Sequence, residues 1–301
     1  MRLPHNILTV FADALTLETA KILQQSGDVS ELQQIYQTAL HDLLQVLEAG
    51  AISEEGYRWI PGVAGKTDGS RWGVLYACYP CNILPAHHPL INGTIRKLES
   101  HLSPGGIPVN TGWLKDGLWV AMALDNLAEA QLHRGQGDAA VRYLYATLNH
   151  GTPLFSWCEE RGQEAGASNC TGDLQHLWTP LAVSRFIRDA LVMEEEDTLH
   201  LARGTARQWL DNNQILSARD LMTHFGKVSY ELCYFKSKGF LKGSIELNGG
   251  KAPMLTLHVR LPDNKRVITL SDNNDGTVSN DGRRLIWRNF GNKAVFEAHV
   301  R

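Results

Sequence analysis

The sequence contains no apolar run approaching the roughly 18 to 20 residues that a membrane-spanning helix needs, so no membrane role is expected. It also lacks a surplus of charge: 29 Lys and Arg stand against 32 Asp and Glu, for a net charge of -3. With no basic patch interleaved with aromatics, nucleic-acid binding is not expected. Cysteine is scarce and odd in number, at positions Cys78, Cys81, Cys158, Cys170 and Cys233, so no disulfide framework is indicated. Cys78-Tyr-Pro-Cys81 has no second Cys pair or His pair to complete a zinc site and no thioredoxin-like context, and it reads as packing. His87-His88 has no Cys or carboxylate at ligand spacing, so neither a metal nor a cofactor is expected. The first ten residues lack the apolar stretch and cleavage site of a secretory signal, which makes the expected localisation cytoplasmic.

What is present is material for a core: 43% of 301 residues are hydrophobic. Two patterns divide it. Up to about Trp209 apolar residues recur every three or four positions, and from about Arg219 short alternating segments take over. Ile7, Val10, Phe11, Ala14, Leu17, Ala20 and Leu23 predict a helix over 6–25, ended by Gly27. Ser30 is placed to cap a second helix over 30–49, making a helical hairpin. Further helices are expected near 73–79, 89–101, 116–134, 138–149 and 176–193. Asp138 caps the fourth of these after the turn Gly135-Gln-Gly137. Short turns thus alternate with long loops rich in Trp, Gly, Asp and His. In a toroid of helical hairpins the long loops gather on one face, where a cleft forms.

The later segments, 228–235, 243–247, 254–261, 266–270, 284–288 and 293–300, are separated by Asn-Gly and Asp-Gly turns and predict an antiparallel sandwich. The expected fold is mainly α with β: a partial α/α toroid over 1–210 followed by a small antiparallel β-sandwich over 211–301. Glu194-Glu-Glu-Asp197, after the last helix, reads as a solvated turn.

Glycoside hydrolysis needs a proton donor for the leaving oxygen, a second carboxylate as base or nucleophile, and apolar ring faces for the sugar. The long loops hold Trp72, Trp113, Trp119, Trp157 and Trp178, and the carboxylates Asp116, Glu159, Glu160 and Asp173. Trp157-Cys-Glu159-Glu and Gly172-Asp173-Leu-Gln-His176-Leu-Trp178 resemble the Trp-x-Glu and Gly-Asp-x-x-His-x-Trp run near the end of the helical toroid in six-hairpin glycosidases. Phe186-Ile-Arg188-Asp189, Arg207-Gln-Trp209-Leu and Thr223-His-Phe-Gly226 are similar to the segments C-terminal to that run in the same superfamily. Gln175 and Leu177 depart from its usual Pro and Gly.

The resemblance implies Glu159 as catalytic base, Asp173 as a ligand of sugar hydroxyls and His176 as the group that orients a carboxylate or hydroxyl. Trp113, Asp116, Trp157 and Trp178 complete the expected substrate-binding set. Each also has a structural reading: Glu159 paired with Arg161, Asp116 and Asp173 as helix caps, and the tryptophans as core or loop anchors. Trp59 is expected either to wall the cleft or to anchor its loop. Asn6 stands where related enzymes often carry an acid, and an amide cannot donate a catalytic proton, so the general acid must lie elsewhere. About seven helices precede the strands where a full toroid has twelve. The chain therefore resembles the C-terminal half of the catalytic toroid plus its β-domain, with an open edge for self-association or a complementing chain. The expected ligand is a carbohydrate and the expected activity an inverting glycoside hydrolase. A non-catalytic carbohydrate-binding or scaffold fragment is the alternative, and a phosphorylase of the same architecture ranks below both.

Overall fold

Pro4 in the first turn of α1 (Leu3–Ile22) supplies a preset φ where a missing N–H goes unnoticed, and Leu3, Ile7, Val10 and Leu17 bury one face. The computed structural model describes residues 2–23, 26–67, 73–164 and 169–301. Gln25, at the end of the first expected helix, and the loop residue Trp72 lie outside the described residues. Helix α2 (Ser26–Gly50) starts earlier than periodicity places it, so Ser30 lies inside it instead of capping it, and Gly27 is helical. The two helices pack on each other, with Leu43 and Leu47 buried on the α2 side. Asn6 donates its amide to the Arg2 carbonyl at 2.7 Å, within the first turn of α1.

The chain divides into two compact units, Met1–Val183 and Ser184–Arg301. In the first, β1 (Ile52–Glu54) and β2 (Tyr57–Trp59) form a hairpin turned by Glu55 and Gly56, both with positive φ. Trp59 is buried and donates its indole N–H to Glu54 at 3.1 Å, which makes it an anchor and not a cleft wall. A 3-10 turn (Val74–Ala77) and α3 (Pro89–Glu99) come next. The helix expected over 116–134 begins late, because Gly117 and Leu118 form β3 (Gly117–Leu118). A π-helical segment (Ala123–Ala128) then runs into α4 (Glu129–His133). Gly135, at φ 74, ends that helix, and α5 (Gly137–Asn149) begins with Gln136 at the cap position. Asp138 therefore sits in the first turn, where its charge meets the positive end of the helix dipole, and is not the cap. Strand β3 pairs with β4 (Glu160–Gly162), and β4 with β5 (Cys170–Thr171). Helix α6 (Trp178–Leu191) carries the chain onward.

The second unit holds two five-stranded sheets. One orders β12 (Val267–Asp272), β15 (Lys293–Val300), β10 (Phe240–Asn248), β9 (Gly226–Phe235) and β8 (Ile215–Thr223). The other orders β13 (Thr277–Val278), β14 (Arg284–Phe290), β11 (Ala252–His258), β7 (Thr198–Leu201) and β6 (Val192–Glu195). Alternation explains the burial: Val228, Tyr230, Leu232 and Tyr234 of β9 point inward and join Leu199, Leu201, Leu255 and Leu257 of the other sheet in one cluster. Two expectations change here. The acidic run is a paired hairpin, β6 with β7, turning at Glu196, and Glu194 and Glu195 pair with Arg188 and Arg203. The pairing of β7 with β11 is parallel, whereas an all-antiparallel arrangement was expected. Among the described residues the fold is thus six α-helices with four mostly antiparallel sheets, and no helix is long and apolar enough to cross a membrane.

Candidate functional site

Two carboxylates that are neighbours in sequence, Glu159 just before β4 and Glu160 in it, meet opposite surroundings. Glu160, in β4, is fully buried and accepts from the backbone N–H groups of Trp113 at 2.9 Å and Leu114 at 3.1 Å. The Thr171 hydroxyl donates to it at 3.4 Å. Gly112 makes room for it: a Cβ there would stand 2.3 Å from Glu160 Oε1. Glu160 is therefore a staple for the 110–118 loop and not a reacting group.

Glu159 is half-buried, and among the described residues its carboxylate accepts no hydrogen bond. Arg161, its expected partner, instead donates to the Gly162 and Glu164 carbonyls. Backbone pairing extends β4 and β5 outward: Glu159 N donates to Asp173 O at 3.0 Å and His176 N to Trp157 O at 2.7 Å. Gly172 lies opposite Glu159 at φ 68, and a Cβ on it would sit 1.6 Å from Glu159 Oε2. The glycine of the Gly-Asp motif is thus required twice, by backbone conformation and by the space the carboxylate occupies.

Asp173 is exposed, and its side chain makes no hydrogen bond among the described residues. It does not cap α6, which begins five residues later at Trp178. His176 is half-buried, and its Nε2 is buried with no hydrogen-bond partner among the described residues. Its ring stands 6.3 Å from that of Trp178. Trp178 meets Trp119 edge to face at 5.3 Å, and Trp119 lies 4.6 Å from Trp113. Trp119 is buried while Trp113 is 59% exposed, so the array presents Trp113 to solvent from a fixed base.

Two further expected residues have hydrogen-bond partners of their own. Trp157 is 4% exposed and donates its indole N–H to the Thr147 carbonyl at 2.9 Å, so it anchors the loop to α5 and offers no sugar-stacking face. Asp116 adopts φ 55 and exchanges hydrogen bonds with the Asn110 side chain, closing a turn and not capping a helix. Periodicity missed Asp125, a buried carboxylate on the π-helical segment that accepts from Trp178 Nε1 at 3.2 Å and from the Tyr76 hydroxyl. Its signal was present as a lone acid inside Ala121-Met-Ala-Leu-Asp125-Asn-Leu-Ala128, and π-helical turns often mark functional sites.

Cys158 adjoins this site, and burial and then the neighbouring Cys170 push its thiol up. Cys78 and Cys81 are buried in the first unit. His87 is exposed, and His88 caps α3 by accepting from Leu90 N at 3.2 Å.

No family model matches the chain. No curated protein matches it either. Among solved structures it is similar to a glycosidase in complex with glucose, with a TM-score of 0.43 and 12% identity. That likeness covers 62% of this chain and 45% of the other, so the chain spans less than half the length of that glycosidase.

Proposed function

We propose that the first unit is a glycoside hydrolase site of the six-hairpin type, acting on a neutral oligosaccharide or glycoside with inversion. In this reading Glu159 is the base that activates water, and Asp173 and His176 hold sugar hydroxyls. The sugar stacks on Trp113 over Trp119, while Trp178 is fixed beneath by Asp125. The helical hairpins are part of an α/α toroid that associates with a second copy or a complementing chain.

The observation that carries this reading is the Glu159 carboxylate, half-buried and without a hydrogen-bond partner among the described residues, beside an equally uncommitted Asp173. Glu160, by contrast, is fully buried and holds two backbone N–H groups. A base that must take a proton from water needs its lone pairs available.

The test is hydrolysis of a panel of neutral aryl glycosides with proton NMR of the first-formed sugar. The reading predicts turnover with an inverted anomer, and sugar binding that weakens at least tenfold in Trp113→Ala. Binding with no turnover of any substrate would instead identify a non-catalytic carbohydrate module. A retained anomer would overturn the assigned role of Glu159.

A further inference from the structure

A cavity of about 710 Å³ opens in the first unit between β2 and the start of α3, lined by Glu48, Ser53, Tyr57, Arg58, His88 and Arg96 among others. Its size suits a small-molecule ligand. The two walls are locked together at Gly93, where a Cβ would lie 1.8 Å from the Arg58 carbonyl oxygen, so hairpin and helix approach as closely as backbone allows. The groove is therefore a fixed feature of the fold.

Its charges do not balance. Glu48 is the sole carboxylate in the described lining, and it is already engaged: Arg58 Nη1 donates to it at 2.7 Å and His88 Nε2 stands 4.0 Å away. Arg58 also donates to the Glu48 carbonyl, which commits its guanidinium to that residue. Arg96 has no such partner. Its guanidinium lies over the Tyr57 ring at 4.3 Å, and no carboxylate pairs with it among the described residues. The tyrosine holds the planar fork in one orientation and leaves its N–H donors to the groove. His88 Nδ1 accepts from Leu90 N, which turns Nε2 of the ring toward Glu48 in the lining. The Ser53 hydroxyl, exposed on the hairpin, adds a further polar group.

We propose that this groove binds a small molecule carrying a carboxylate or phosphate on a hydroxylated body, with Arg96 as the residue that takes the anionic group. A guanidinium fork matches both anions in bidentate fashion, and a neutral sugar leaves it unpaired. This ligand is distinct from the neutral sugar assigned to Glu159, and the inference does not rest on that assignment.

Calorimetric titration of the full chain with glucuronate, glucose 6-phosphate and glucose tests it. Saturable binding of glucuronate or glucose 6-phosphate, at least tenfold tighter than glucose, is expected, and the two anions separate carboxylate from phosphate recognition. Arg96→Gln, an exposed change whose folding is checked by circular dichroism, is expected to lower that affinity at least tenfold. Absence of saturable binding by both anions, glucose binding that equals theirs and falls equally in Arg96→Gln, or an Arg96→Gln variant that binds like the parent overturns the proposal.

Discussion

Glu159 and Glu160 differ by one position, Glu159 just before β4 and Glu160 in it, and meet opposite surroundings. Glu160 satisfies two backbone donors from full burial, so Glu160→Ala strands the Trp113 and Leu114 N–H groups and removes charge-assisted bonds. The expected loss is on the order of 3 kcal/mol in urea unfolding; a change under about 0.5 kcal/mol contradicts the staple. Gly172→Ala makes the complementary case. A methyl at that φ costs roughly 1 to 2 kcal/mol and displaces Glu159, so hydrolysis is expected to fall at least tenfold while the chain still folds. Unchanged turnover in that variant would show that the Glu159 position does not matter. In the second unit, His258 and His200 stand 3.1 Å apart, faced by Glu195, Arg203, Arg260 and Arg284. Burial is the largest cause holding both imidazoles below their usual range, with the mutual contact and Arg203 pressing further on His258. The unfolded chain takes up those protons near pH 6.5 while the folded one stays neutral, so stability is full above that pH and is lost as pH falls below it. Urea midpoints at pH 7.5 and 5.5 check this: the lower pH gives the lower midpoint, and His258→Gln narrows the difference.

At the scale of elements, long periodic segments were legible and irregular ones were not. Helices α3, α5 and α6 fall within a few residues of their expected spans because their apolar positions recur at helical spacing without interruption. Strand β8 escaped because a bulge between Ala218 and Leu221, with Asp220 at φ 54, breaks its alternation. Strand β6 escaped because its last residues are acidic and find their partners only after folding, Glu194 with Arg188 and Glu195 with Arg203. The candidate site is half legible. The Glu159 and Gly-Asp-x-x-His-x-Trp residues stand out in sequence, yet the opposition of Glu159 and Gly172, 13 positions apart, arises from the pairing of two short strands. Nothing local encodes it. Asp125 belongs to this scale too, since it joins the π-helical segment to α6 through Trp178. Asp125→Asn keeps the shape and weakens both hydrogen bonds, so a loss of about 1 to 2 kcal/mol and a shifted tryptophan emission are expected.

For the molecule as a whole, the chain divides into two units after Val183, inside α6. The unit boundary lies ahead of the strand-rich region expected from 211 because β6 and β7 already pair into the second unit's sheet. What composition could not supply is the contrast on which the proposed function rests, between one carboxylate saturated with donors and its neighbour left open. The most direct measurement is therefore the rate of glycoside hydrolysis by Glu159→Gln relative to the parent chain, with sugar affinity measured in parallel. A fall of about 10²- to 10⁴-fold in kcat with affinity retained is expected, as removal of a general base entails. A Glu159→Gln variant that hydrolyses at the parent rate would contradict the assignment of Glu159 as the base.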